Sequence, residues 1–208
     1  MAFTSPPLLS SEFWESRYQE GATRWDLGQP SPAFVEWLDQ QNHRMGRVLV
    51  LGCGRGHDAL LFAQAGFDVL GVDYAPSAIA AATAVAQARN LNAEFRQRDI
   101  FTLLPEYTAQ FDYVVEHTCF CAIDPTLRDR YVTLVQGLLK PGGYLLGVFF
   151  THDRPGGPPY GTTPVELRQR FTGPFAIVTL NPVTSSVPTR QGEEYLGLFQ
   201  NQGISSRS

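Results

Sequence analysis

Residues 48–59 read "VLVLGCGRGHDA": a short apolar run, three alternating glycines, then a segment that continues with helical spacing. An apolar strand that turns through glycines into a helix opens an α/β sheet, and the bare turn lets a nucleoside-bearing ligand approach the backbone. The pattern recurs downstream. "HDALLFAQAG" is a helix stopped by Gly66, "DVLGVD" a second strand, and "APSAIAAATAVAQARN" an Ala-rich helix ending at Asn90. "AEFRQRD" and "FDYVVEH" read as the third and fourth strands. "DPTLRDRYVTLVQGLLKPGG" predicts a helix ended by Pro-Gly-Gly, and "YLLGVFF" a fifth strand. Apolar strands alternating with helices in this way predict a parallel sheet covered on both faces.

The two ends of the chain have a different character. "SEFWESRYQE" predicts a short amphipathic helix that opens on a Ser cap, with Trp14, Arg17 and Tyr18 three to four residues apart. The Gly and Pro content of "GATRWDLGQPSP" makes it a loop. Ser31 and Pro32 are the cap and first residue of a second helix, reaching about Gln41 and carrying Phe34, Val35, Trp37 and Leu38. After a short helix at 164–170, "FAIVTLN" and "EEYLGLFQ" are strands with no room between them for a crossover helix, so they form an antiparallel closing pair. The expected architecture is Rossmann-like α/β: a mostly parallel seven-stranded sheet with an antiparallel C-terminal strand and helices on both faces.

At 208 residues and 43% hydrophobic content, one domain with one substantial core is expected. The net charge of −4 and the scattered Lys and Arg exclude the electrostatic footprint of nucleic acid or of an anionic membrane surface. The longest apolar stretch, "YLLGVFF", falls far short of the ~18 residues of a membrane span. The first residues lack the basic start and apolar core of a signal peptide, which predicts a cytoplasmic protein acting on a small diffusing substrate. Cys53, Cys119 and Cys121 are an odd set, too few for a disulfide framework or a finger-type metal site. The period-two spacing of Cys119 and Cys121 predicts two packing side chains on one side of an extended segment.

Several residues define the ligand of the glycine turn. Asp73 ends the second strand beside Gly52, Gly54 and Gly56, where a carboxylate accepts hydrogen bonds from two ribose hydroxyls. A nicotinamide enzyme would use the same arrangement. Its fingerprint, however, is G-x-G-x-x-G, whereas the G-x-G-x-G form here suits a nucleoside with no pyrophosphate to cradle. Asp99 in "QRDIF" follows the third strand and is placed to accept an adenine amino group, with Ile100 against the ring.

These residues, with the motifs "FWESRYQEGATRWDLGQPSPAF", "GVDYAPSAIAAA", "RDIF", "CFCAIDP", "LLKPGG", "GGPPY" and "PTRQGEEYLG", resemble the thiopurine S-methyltransferase superfamily, in particular its thiol and halide methyltransferase branch. The resemblance runs from about residue 13 to 199. It implies a class I methyltransferase fold, S-adenosylmethionine as methyl donor, and a small-molecule thiol or halide as acceptor. Residues 1–45 would form a helical lid over a core at 46–200. Trp14, Tyr18 and Trp25 would line the donor site from the lid. Gly52, Cys53, Gly54, Asp73 and Tyr74 would hold the methionine end and ribose, and Asp99 and Ile100 the adenine. His117 stands where plant members have a donor-contacting Tyr, and Tyr18 where they have a Trp.

The chemistry implied is in-line attack on the methyl group of a sulfonium. With an anionic nucleophile the charges cancel in the transition state, which a dry site favours, and aromatic faces hold a sulfonium while excluding water. Alignment supplies most of the rate, so little acid–base help is needed. If the acceptor is a neutral thiol, His117 is the residue to take its proton; His117→Phe would then lose thiol activity and keep iodide activity. Tyr160, in the loop after the fifth strand, would close the acceptor pocket, and Arg190 in "VPTRQG" would attract an anion. A monomer is expected. The competing readings are a thiopurine or aromatic thiol methyltransferase, a donor-binding module without turnover, and a nicotinamide oxidoreductase.

Overall fold

The computed structural model describes residues 9–40 and 43–203. Helices α1 (Ser11–Gln19) and α2 (Pro32–Asp39) precede an alternation of β1 (Arg47–Leu51), α3 (His57–Gln64), β2 (Asp68–Asp73), α4 (Pro76–Ala88), β3 (Ala93–Gln97), β4 (Phe111–His117), α5 (Arg128–Leu138) and β5 (Leu139–Phe150). Helix α6 (Pro164–Phe171) and strands β6 (Phe175–Pro182) and β7 (Glu194–Asn201) follow. The strands form one sheet in the order β3-β2-β1-β4-β5-β7-β6. Its first five members are mutually parallel, and β7 is antiparallel to both β5 and β6. This is the expected sheet. No helix among the described residues is long and apolar enough to cross a membrane.

Side-chain alternation along the central strands sorts the core into two layers. Val48 and Val50 of β1 face α2 and α3, where Phe34, Phe62 and Phe67 are buried. Leu49 and Leu51 face α5 and α6, packed with Tyr131, Leu134, Phe149 and Phe171. In this second layer the rings of Phe171 and Phe199 stack at 4.9 Å, and Phe149 meets both edge-on or tilted within 6 Å.

Three local expectations are corrected. The helix expected to run to Pro-Gly-Gly stops at Leu138, and Leu139 already pairs with Phe111. The register then jumps so that Tyr113 faces Tyr144, leaving 140–143 as a bulge. A Cβ on Gly143 would lie 3.0 Å from the carbonyl oxygens of Asp112 and Lys140, so glycine permits the bulge, and the Lys140–Asp112 pair at 2.7 Å fastens it. The cap of α1 is Ser10, whose Oγ accepts the Phe13 N–H; Ser11 instead donates to the Tyr74 carbonyl. Helix α2 ends at Asp39, and Gln41 lies outside the described residues.

The chain runs outward from β1 through β2 to β3, then returns to lay β4 on the other side of β1. A crevice opens at the carboxyl ends of adjacent strands where the order reverses. Here those ends carry the glycine turn after β1 and His117 at the end of β4. The turn beyond β4 is anchored from within, because fully buried Glu116 accepts the Phe120 N–H at 2.8 Å while its other oxygen has no partner.

Two stability predictions follow from this core. Phe199→Ala should lower unfolding free energy by about 3–5 kcal/mol, read from urea denaturation. Burial pushes Glu116 up to about 7, so the folded chain holds this proton more tightly than the unfolded chain. Its contribution is therefore present below about pH 4.3 and lost as pH rises to about 7, a change on the order of 3 kcal/mol. Glu116→Gln should flatten stability against pH across that window.

Candidate active site

Gly52, Gly54 and Gly56 have φ of +60°, +53° and +82°, a region that favours glycine. Crowding adds to the requirement: a Cβ on Gly52 would meet Cys119 Sγ at 3.2 Å, and one on Gly56 would meet the Ala82 side chain at 2.8 Å. The Cys53 N–H donates to the Val72 carbonyl, tying the turn to β2. The Gly54 N–H donates to Asp73 Oδ2 at 2.8 Å and the Ala75 N–H to Oδ1 at 2.9 Å. Asp73 is 8% exposed, and burial raises its carboxyl in spite of these donors. Each oxygen accepts one N–H and keeps a lone pair, so the hydroxyls of a ribose would supply the donors this buried carboxylate lacks.

Burial first, and then the neighbouring Asp99 carboxylate, raise the pKa of the Tyr74 phenol. Asp99 Oδ1 accepts the Phe101 N–H, capping the short 3-10 turn Ile100–Thr102. Buried Ile100 begins that turn. Asp73, Tyr74, Asp99 and Ile100 thus gather at the carboxyl ends of β2 and β3.

The N-terminal aromatics lie over this edge. Trp25 meets Trp14 edge-on at 5.3 Å and Tyr18 at 5.7 Å, and its Nε1 donates to Tyr18 Oη. The three pack on Ala75 and Ala78 at the start of α4. Asp26 then binds this segment to the glycine turn, through Arg55 at 2.7 Å and His57 at 3.1 Å. The His57 hydrogen bond holds the Asp26 carboxyl well below the usual range, outweighing its burial.

His117 sits among three charged groups from distant parts of the chain. Its Nδ1 lies 2.9 Å from Asp58 Oδ2, and Asp58 Oδ1 accepts the Ser31 N–H at 2.7 Å. That bond, rather than a cap from the Ser31 side chain, fixes the start of α2. On the other side of the ring, Nε2 lies 2.9 Å from Arg190 Nη1. Arg190 donates further to Glu194 at 3.2 Å and to the Trp25 carbonyl at 2.6 Å. Burial alone would lower the His117 pKa, but Asp58 and Glu194 push it up to about 9 against the opposing charge of Arg190. Trp25, Gly54, Asp58, His117 and Thr118 line one cleft.

Tyr160 is not among the residues of that cleft. It borders a separate open hollow of about 530 Å³ with His152, Arg154 and Thr162. Its N–H donates to the Cys121 carbonyl, and its own carbonyl accepts from buried Arg128. Cys119 and Cys121 lie in a turn rather than an extended segment, with Thr118 at φ +61°. Both are buried, and burial pushes their thiols up, which suits packing and not nucleophilic attack. Asp26, Asp58 and Glu194 were not singled out in the sequence, although all three stand inside the quoted motifs. Partners such as His117, 59 residues beyond Asp58, meet them only in space, so spacing gives no sign of them; a carboxylate just after the glycine turn was the one available cue.

The family model for thiopurine S-methyltransferase matches residues 9–202. Thiocyanate methyltransferase 1 of Arabidopsis thaliana is 35% identical, over 90% of this chain and 83% of its own length. Thiocyanate methyltransferase 1 of Brassica oleracea is 34% identical, over 94% of this chain and 87% of its own. Among solved structures, 1,6-didemethyltoxoflavin-N1-methyltransferase of Burkholderia thailandensis, with bound S-adenosylhomocysteine, superimposes with a TM-score of 0.76 at 21% identity, covering 95% of this chain and 93% of that one. On these matches, the chain belongs to the thiopurine S-methyltransferase family and is an S-adenosylmethionine-dependent methyltransferase.

Proposed function

We propose that the protein methylates a small soft nucleophile: thiocyanate, hydrosulfide, another small thiol, or a halide. The observation that carries this reading is the buried guanidinium of Arg190, set beside His117 and bonded to the carbonyl of Trp25. Though paired with Glu194 at 3.2 Å, this guanidinium stands next to the aromatic segment at the crevice, where it would meet an anionic acceptor. The similarity to two thiocyanate methyltransferases at 34–35% identity supports the same class of acceptor.

S-adenosylmethionine supplies a methyl group on a sulfonium sulfur. Of the lid expected at 1–45, residues 1–8, 41 and 42 lie outside the described residues; in the remainder Trp14, Tyr18 and Trp25 present aromatic faces that attract positive charge and exclude water. Asp73 holds ribose hydroxyls, Asp99 and Ile100 take the adenine, and Gly52 to Gly54 give backbone room for the methionine end. A dry, aligned site is sufficient for a reaction in which opposite charges cancel. Tyr160, lying outside the cleft, can shape the acceptor site only by fixing the turn at Cys121.

Headspace gas chromatography with mass detection tests the acceptor class. Purified protein with the donor and thiocyanate, hydrosulfide or iodide should release methyl thiocyanate, methanethiol or methyl iodide. Empty headspace together with methylation of an aromatic thiol would replace this reading with the aromatic one. Donor binding is a separate measurement by calorimetry. Asp73→Ala should weaken S-adenosylmethionine roughly 10- to 100-fold, the loss of hydrogen bonds to a charged group. Trp25→Ala should weaken S-adenosylmethionine more than neutral S-adenosylhomocysteine, because only the sulfonium gains from the aromatic face.

A further inference from the structure

The cleft holds two imidazoles, and they differ in what their ring nitrogens meet. His117, at the end of β4, has both engaged: Nδ1 lies 2.9 Å from Asp58 Oδ2 and Nε2 lies 2.9 Å from Arg190 Nη1. His57, the first residue of α3, lines the same cleft beside Trp25 and Gly54. Its Nε2 lies 3.1 Å from Asp26 Oδ1. Its Nδ1 meets no hydrogen-bond partner among the described residues, and it is not one of their buried, unsatisfied polar atoms. The side chain is 33% exposed, so a molecule in the cleft can reach this nitrogen.

Asp26 decides which nitrogen of His57 carries the proton. Its bond to His57, aided by the Gly28 N–H and by Arg55, holds the carboxyl well below the usual range, so it stays ionised through neutral pH and can only accept. A neutral imidazole facing that carboxylate with Nε2 keeps its proton there and its lone pair on Nδ1. A carboxylate that fixes the tautomer of a histidine and stabilises its protonated form is the arrangement by which an imidazole serves as a base. The remaining charged and titratable groups around the ring are committed elsewhere. Arg55 of the glycine turn shares the Asp26 carboxylate at 2.7 Å, and Asp58 is bound to His117 and the Ser31 N–H. Burial keeps Tyr18 of α1 and Cys53 protonated.

We propose that His57, oriented by Asp26, is the base for acceptors that reach the cleft as neutral thiols. The proposal rests on the methyl-transfer reading above and places the proton of such an acceptor. The thiol gives its proton to His57 Nδ1 as its sulfur lone pair forms the bond to the methyl carbon, and the electrons of the broken methyl–sulfur bond stay on the sulfur of the donor. The products are a thioether, neutral S-adenosylhomocysteine and an imidazolium paired with Asp26, which returns its proton to solvent. Thiocyanate and halides carry no proton and bypass His57, so one site serves both classes of acceptor.

The decisive measurement is kcat/KM against pH for thiocyanate, ethyl thioglycolate and the less acidic ethanethiol, followed by release of S-adenosylhomocysteine. Both thiols should rise through one common midpoint that is absent from the thiocyanate profile. Thiols that each climb toward their own pKa lose their protons to solvent, and that result overturns the proposal. His57→Gln should abolish the common midpoint and slow both thiols about 100-fold more than thiocyanate. Equal loss for all three acceptors leaves His57 a clasp for Asp26 and overturns its role as base. His117→Gln should keep the midpoint; its loss there, with retention in His57→Gln, makes His117 the base instead. Nitrogen NMR of the His57 ring, with neither donor nor acceptor added, should show the neutral form protonated on Nε2. A neutral ring protonated on Nδ1 overturns the proposal even where methyl transfer occurs. Absence of transfer to thiocyanate and to both thiols would instead defeat the acceptor reading beneath it.

Discussion

The Asp58 carboxylate joins the parts of the chain on which the site depends. One oxygen receives the Ser31 amide at the start of α2, and the other faces His117 at the end of β4. Through His117 the connection passes to Arg190 and Glu194 near the C-terminus, and through Arg190 back to the carbonyl of Trp25. Buried charges are costly unless each is matched and hydrogen-bonded, and removing one partner leaves the rest uncompensated. Arg190 and Glu194 are 7% and 3% exposed, so each depends on the others being in place. The N-terminal segment is thereby held over the crevice by the same groups that set the charge of the crevice.

The donor side has a different physical basis. The glycine turn is shaped by sterics: positive φ and the close approach of Cys119 and Ala82 leave no room for side chains. Asp73 spans the turn and the start of α4 by accepting an amide from each. Trp14, Tyr18 and Trp25 then seal the edge by mutual edge-to-face packing on two small alanines. A rigid backbone cradle under an aromatic cover is suited to a reaction limited by alignment and exclusion of water.

Much of this was legible from local pattern. The strands and helices of the central sheet follow from apolar runs and their punctuation, and so do the positions of Asp73 at the end of β2 and of Asp99 just beyond β3. Pro141, Gly142 and Gly143 misled for a physical reason: the same residues stop a helix or form a bulge, and only the pairing of Leu139 with Phe111 decides between them. Tyr160 was placed by its loop position, but the loop folds toward Cys121 and Arg128 and faces another hollow.

The amino-acid sequence by itself determined the alternating elements, the glycine turn, the acidic strand ends and the family to which they belong. These depend on backbone sterics and short-range periodicity, which neighbours along the chain settle among themselves. Only the tertiary structure decided that Asp58, His117, Arg190 and Glu194 form one network and that Asp26 clasps Arg55 and His57. Their state of charge and hydrogen bonding, and with it the chemistry open to His117, depends on burial and on partners that meet only when β4 returns beside β1.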